Sequence, residues 1–199
     1  MELQSTITKL PSHPMHIDMS KRFPLDMLPT EVRTALQDIR FLNRKQTLSL
    51  IHILQKKYEN NTIVCNILTL LMLDLGATEA ASEISYRLFK SHSTDFTTRC
   101  IFARICIERD LPPLVDVVLN PFELSAWFSE NDTCDLFSLI EYHYIGAIHF
   151  MEMGDCARGI QHMQLLNELT QGDHPYLPIL KILADNHTDC QHNRPHSKS

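Results

Sequence analysis

Glycine is scarce in this chain, with five residues in 199. Phosphate-cradling loops and dinucleotide folds use glycine where backbone must approach a ligand closely. Neither G-x-G-x-x-G nor G-x-x-x-x-G-K occurs, which argues against a Rossmann or P-loop enzyme. No C-x-x-C pair joins the six cysteines, Cys65, Cys100, Cys106, Cys134, Cys156 and Cys190. Five of them fall within helical patterns and read as reduced core cysteines of a cytoplasmic protein, not as a disulfide frame. No stretch reaches the ~20 apolar residues that a membrane span needs. The most apolar one, Ile63 to Leu75, is 13 residues long and contains Asn66, Thr69 and Asp74. A secretory leader is not visible either, because Pro11, His13 and Pro14 interrupt the first apolar run. The motifs G-x-S-x-G, H-E-x-x-H and E-x-x-H are also missing. The expectation is a non-enzymatic protein that uses no cofactor and no metal.

Charge is present but uneven. Residues 1–57 hold nine Lys/Arg against five Asp/Glu, while the remainder holds nine against nineteen. Between Glu108 and Asp155 there are ten carboxylates, and Arg109 is the one Lys/Arg among them. Such a run is either a solvated acidic face or a surface that attracts basic segments and repels nucleic acid.

Periodicity then organises the chain. Residues 1–28 carry Pro11, Pro14 and Pro24 and no sustained period, so they read as an extended arm that folds back into a groove or stays loose. A helical domain is expected over 29–185 and a polar, disordered tail over 186–199. Within the domain, helices are predicted from Thr30, around Thr47–Tyr58, over Thr62–Leu75, after Thr78, from Thr94-Asp95, and over Leu114–Leu119. Asn43 is read as a stop, and Thr78 as a cap. The clearest unit is Asp135 to Thr170: Leu136, Ile140, Tyr144, Ala147 and Met151 form one helical stripe. Gly154 suits the left-handed turn after it, and Asp155 can cap the following helix, which places Ile160, Met163, Leu166 and Leu169 on one face. A last helix over Tyr176–Asp185 would close the open end. No clean strand alternation is found.

The inner turns of four helix pairs fall at Leu42-Asn43, Gly76, Asp110 and Gly154. The first two intervals are 34 residues each and the third is 44, with the aromatic stretch 121–131 accounting for the excess. A 34-residue helix-turn-helix period is tetratricopeptide spacing. The chain resembles that family from about Leu28 to Asp185. Ala147 and Phe150 stand at its small-then-aromatic pair, Gly159 and Met163 at its second-helix positions, and Ala81 and Ala103 at equivalents in earlier pairs. His143 stands where the family favours tryptophan, and Gln171 where it favours proline. The resemblance implies an all-α, right-handed superhelix of about four stacked antiparallel helix pairs plus a capping helix.

If that holds, the first helix of each pair lines a concave groove that takes a peptide or helix of another protein. Asn66, Leu70, Arg104, Tyr144 and Ile148 would face it. Asp74, Glu108 and Glu152 lie at equal distances before their turns, where the first pair has Arg40. Carboxylates at the negative end of a helix cost ~0.3–1 kcal/mol each, so a basic or mixed target is expected. The family's basic clamp for carboxylate tails is absent. Bacterial type III secretion chaperones look similar in form, which points to an adaptor or chaperone. The alternative is a structural subunit or homo-oligomer anchored by Phe122, Trp127 and Phe128. His149 with Glu152, and the tail set His187, Cys190, His192 and His196, match no metal module.

Overall fold

The structure, a computed structural model, describes residues 16–18, 27–129, 132–173 and 177–192, with the backbone alone at 16–18, 40 and 186–192. It is built from α1 (Thr30–Asp38), α2 (Arg44–Lys57), α3 (Thr62–Asp74), α4 (Thr78–Ser91) and α5 (Phe96–Glu108), followed by α6 (Pro112–Val118), α7 (Leu136–Glu152), α8 (Cys156–Leu169) and α9 (Leu177–His192). The all-α class therefore stands. Two three-residue strands that periodicity does not predict are also present. β1 (His16–Asp18) pairs in parallel with β2 (Thr133–Asp135), with His16 beside Thr133 and Asp18 beside Asp135. This ties part of the N-terminal arm to the chain just ahead of α7. A three-residue strand is too short to establish a period of two, so no pattern announces it.

Local chemistry sets the helix ends. Asn43 is a start, not a stop: its side chain accepts from Gln46 N, and the Gln46 side chain accepts from Asn43 N, each at 3.0 Å. This reciprocal capping box opens α2. Asn61, Asp95, Asp135 and Asp155 likewise accept from the backbone N–H three residues on. Thr78 is not a cap; Ala77 holds that place with no side-chain bond. Gly76 and Gly154 take left-handed φ values of 69° and 83° at their turns. At the third turn Asp110 does so instead, with φ 57°, a conformation that short polar side chains tolerate better than others.

The helices pack largely in chain order, α2 on α3 through α8 on α9, and α3 also touches α5 while α5 touches α7. One core gathers Val32, Ile51, Leu54, Leu68 and Met72; another gathers Leu119, Leu136, Leu139, Ile145 and Leu166. Helix α5 separates them. Its Ile105 belongs to the first core, Cys100, Ala103 and Cys106 to the second, and Ile101 to a small cluster with Leu70 of α3 and Phe137 of α7. The five described cysteines are free and buried.

Helix α7 departs from the single stripe expected of it, because it is buried on nearly every face, including Glu141, His143 and His149. Its close crossing with α8 needs two glycines. A Cβ on Gly159 would lie 2.6 Å from Met151 Cγ and 3.1 Å from the Ala147 carbonyl oxygen, and one on Gly146 would enter the His162 ring. His162 Nδ1 is 3.1 Å from His143 Nδ1, so one ring must donate and the other accept. Phe122 meets the His162 ring edge-to-face. Burial pushes the His162 imidazole down to about 4, with Arg158 and then His149 adding to the effect.

Two outcomes follow from this crossing. Gly159→Ala improves helix propensity by ~1 kcal/mol but overpacks the crossing by ~1–3 kcal/mol. Its urea midpoint should therefore fall; a midpoint at or above wild type would show that the helices can separate without cost. For His162 the folded pKa lies below the unfolded value near 6.5, so protonation favours unfolding. Its share of stability is complete above pH ~6.5 and lost as pH falls toward 4, on the order of 3 kcal/mol in all. Urea titrations from pH 7 to pH 4.5 should show a shallower loss for His162→Gln than for wild type; parallel curves would exclude this origin.

Candidate functional site

The N-terminal ends of α3, α5 and α7 come together, and the sequence equips each with an N-cap: Asn61, Asp95 and Asp135. From these caps two hydrogen-bond relays run between helices. In the first, Asn66 Nδ2 of α3 donates to Thr98 Oγ1 at 3.0 Å, and Thr98 Oγ1 donates to Asp95 Oδ2 at 2.5 Å. In the second, Thr97 of α5 donates to Ser138 Oγ at 2.5 Å, and Ser138 Oγ donates to Asp135 Oδ2 at 2.7 Å. A carboxylate only accepts, so each hydroxyl proton is committed to its aspartate and the direction of both relays follows. Between these ends lies a cleft of about 320 Å³, lined by Ile63, Asn66, Asp95, Thr97, Asp135 and Phe137 among others. β2 reaches the same rim through Thr133.

Further along the same three helices sits an ion-pair network. Arg104 Nη1 of α5 donates to both carboxylate oxygens of Glu141 on α7 at 3.1 Å, and Nη2 lies 3.5 Å from Asp74 Oδ1 on α3. The Arg104 guanidinium also lies 5.0 Å from the centre of the Tyr144 ring. Arg104 and Glu141 are both 5% exposed, so this pair is removed from water. Burial opposes the Arg104 charge, but Glu141, then Tyr144 and Asp74, outweigh it and raise its pKa. Burial also lifts the Glu141 carboxyl above the usual range, with Arg104 pulling against it.

The structure brings together five residues read from the sequence. Asn66 lines the cleft, Leu70 joins the small cluster, and Asp74, Arg104 and Tyr144 meet in the network. Asp74 thus faces a cation from its own chain. Glu108 and Glu152 are exposed near the C-terminal ends of α5 and α7, and Ile148 is half-buried against the second core. Burial raises the Glu152 carboxyl, with Asp110 adding to it and His149 opposing. The side chain of Arg40 lies outside the described residues. Glu141, Asp95, Thr97, Thr98 and Ser138 belong to the candidate site but are not singled out by periodicity. One signal was available: Asp followed three residues later by Thr or Ser, at 95 and again at 135, at the head of consecutive first helices.

The aromatic stretch is engaged by the chain's own core. Phe128 meets Phe96 edge-to-face at 4.9 Å, Phe122 lies 4.9 Å from Tyr142, and Arg99 covers Trp127 at 4.6 Å. Trp127 Nε1 donates to the Pro121 carbonyl at 3.0 Å. These rings are half-buried and pack against the second core. His149 Nε2 pairs with Asp116 Oδ1 at 2.8 Å, not with Glu152. Among the described residues no three His, Cys, Asp or Glu side chains are grouped to hold a metal ion, and no helix is long and apolar enough to cross a membrane. The side chains of the His/Cys tail set lie outside the described residues. Comparison with protein-family models, curated proteins and solved structures finds no match.

Removing one partner of a buried ion pair leaves an uncompensated charge, whereas replacing both with apolar residues is often neutral. Arg104→Met and Glu141→Leu should each cost ~3–5 kcal/mol in chemical denaturation, and the double variant Arg104→Met/Glu141→Leu should recover most of it. Additive losses in that double-mutant cycle would show that the two side chains act independently.

Proposed function

We propose that this protein is a helical-repeat binding module, an adaptor or chaperone that holds a peptide segment of another protein. The reading takes the helix pairs as stacked in a right-handed superhelix, with α3, α5 and α7 lining its concave side. The observation that carries it is the convergence of these three helices on one face. That face holds an open cleft at one end and an ordered polar network at the other. Rigid elements that present a few oriented polar groups beside apolar walls are what recognition of a segment requires. Chain-order packing and the recurrence of an acidic N-cap at α5 and α7 support the stacked arrangement. Self-association through the aromatic stretch draws no such support, because its rings already pack on the protein's own core.

Site-specific photo-crosslinking in the native cell tests the assignment. A photoreactive residue at Thr62 or Ile63, on the cleft, should yield a discrete crosslinked species that mass spectrometry maps to one segment of one protein. The same group at Val117, exposed on α6 and outside the cleft, should not. Equal yields at the two places, or none at the cleft, would remove the reading.

A further inference from the structure

Building on that reading, we propose that the cleft at the N-terminal ends of α3, α5 and α7 receives the positively charged side chain, lysine or arginine, of an extended peptide from the partner. The argument starts from proton accounting. Thr98 gives its proton to Asp95, so its oxygen must accept from Asn66, and only the amide nitrogen can donate. The orientation of the Asn66 carboxamide is thereby set, and its Oδ1 is an acceptor. Asn66 is 2% exposed, lines the cleft, and among the described residues its Oδ1 has no hydrogen-bond partner. A buried acceptor in that condition is destabilising, and a ligand N–H that reached it would relieve the cost.

The second relay has the same polarity, since Thr97 spends its proton on Ser138. Asp95 lines the cleft and uses Oδ2 for both of its bonds to Thr98. The oriented polar atoms of the wall are thus acceptors, and two of the groups carry negative charge. Helix N-termini usually favour anions, but here the N–H groups of Val64, Thr98 and Ser138 are already taken by Asn61, Asp95 and Asp135. A phosphate or carboxylate would meet the two carboxylates of Asp95 and Asp135. An ammonium or guanidinium meets acceptors. Its methylene stem would lie against Ile63, Ile67 and Phe137, the usual division of labour for a long cationic side chain.

Two pools of blocked, fluorescently labelled nonapeptides provide the test. They share randomised flanks and differ only at the centre, lysine in one and norleucine in the other. Fluorescence anisotropy at ~0.15 M salt should show the full-length protein preferring the lysine pool about tenfold, because a charge-assisted contact inside a partly enclosed cleft is only weakly screened. Asp95→Asn keeps a good N-cap but removes the charge, and Asn66→Ala removes the acceptor. Each should bring the preference below about threefold, while Glu79→Gln, an exposed carboxylate on α4, should leave it intact. Thermal unfolding of each variant shows whether the fold is retained, and the wild-type comparison of the two pools decides the matter even if a variant unfolds. Equal binding of both pools overturns the cationic assignment and leaves the peptide groove standing. Binding of neither pool overturns both. Self-association that Asp95→Asn abolishes, with no preference between pools, assigns the cleft to a second copy and also overturns the proposal.

Discussion

Helix α5 is enclosed by the rest of the molecule, and the Arg104–Glu141 pair is the interaction on which that enclosure depends. The inner face of a helix between two cores is closed to water, so a charge there, such as Arg104, needs a counter-charge brought in with it. Glu141 arrives on α7 and Asp74 on α3, which makes the arginine a three-way junction. Its position ties the register of α7 to that of α5, since a shift of α7 by one turn would strand a buried guanidinium. Apolar packing through Leu70, Ile101 and Phe137 supplies adhesion there but little directional information. The buried pair supplies the direction.

The same economy recurs at the other end of these helices. An N-cap aspartate first satisfies its own helix, then accepts the proton of a hydroxyl three residues on, and that hydroxyl in turn accepts from the preceding helix. One carboxylate therefore both starts a helix and locks it to its neighbour. Both relays end on capping carboxylates, and the cleft between them is bordered by Asp95 and Asp135. Its chemical character follows from how the helices are capped and joined, without any residue set aside for a ligand.

Around α7 and α8 the constraint is steric. Gly146 and Gly159 let the backbones approach until His162 sits among His143, Phe122 and Tyr142. That aromatic cluster explains how His143 can be 2% exposed without a large ring of its own filling the space. The aromatic stretch 121–131 supplies the missing bulk through Phe122, and Trp127 and Phe128 seal the neighbouring surface against Phe96.

Much of the helical framework was legible in the amino-acid order. Apolar residues at three- and four-residue spacing mark the helices, and glycines mark two of the turns, because these signals depend on contacts within a few residues. Asp155 was readable as a cap for the same reason. Asn43 was misread because asparagine serves either end of a helix, and only the position of Gln46 relative to the turn decides between them. Of the candidate site, Asn66, Leu70, Asp74, Arg104 and Tyr144 could be placed on common faces from spacing. Glu141 could not, because a carboxylate within an apolar helix carries no mark of the cation that will meet it. Tertiary structure alone decided that Asp74 answers to Arg104, that α7 is buried on nearly every side, and that β1 lies against β2. Those outcomes rest on contacts between residues some 30 to over 100 positions apart, and a local pattern holds no record of them.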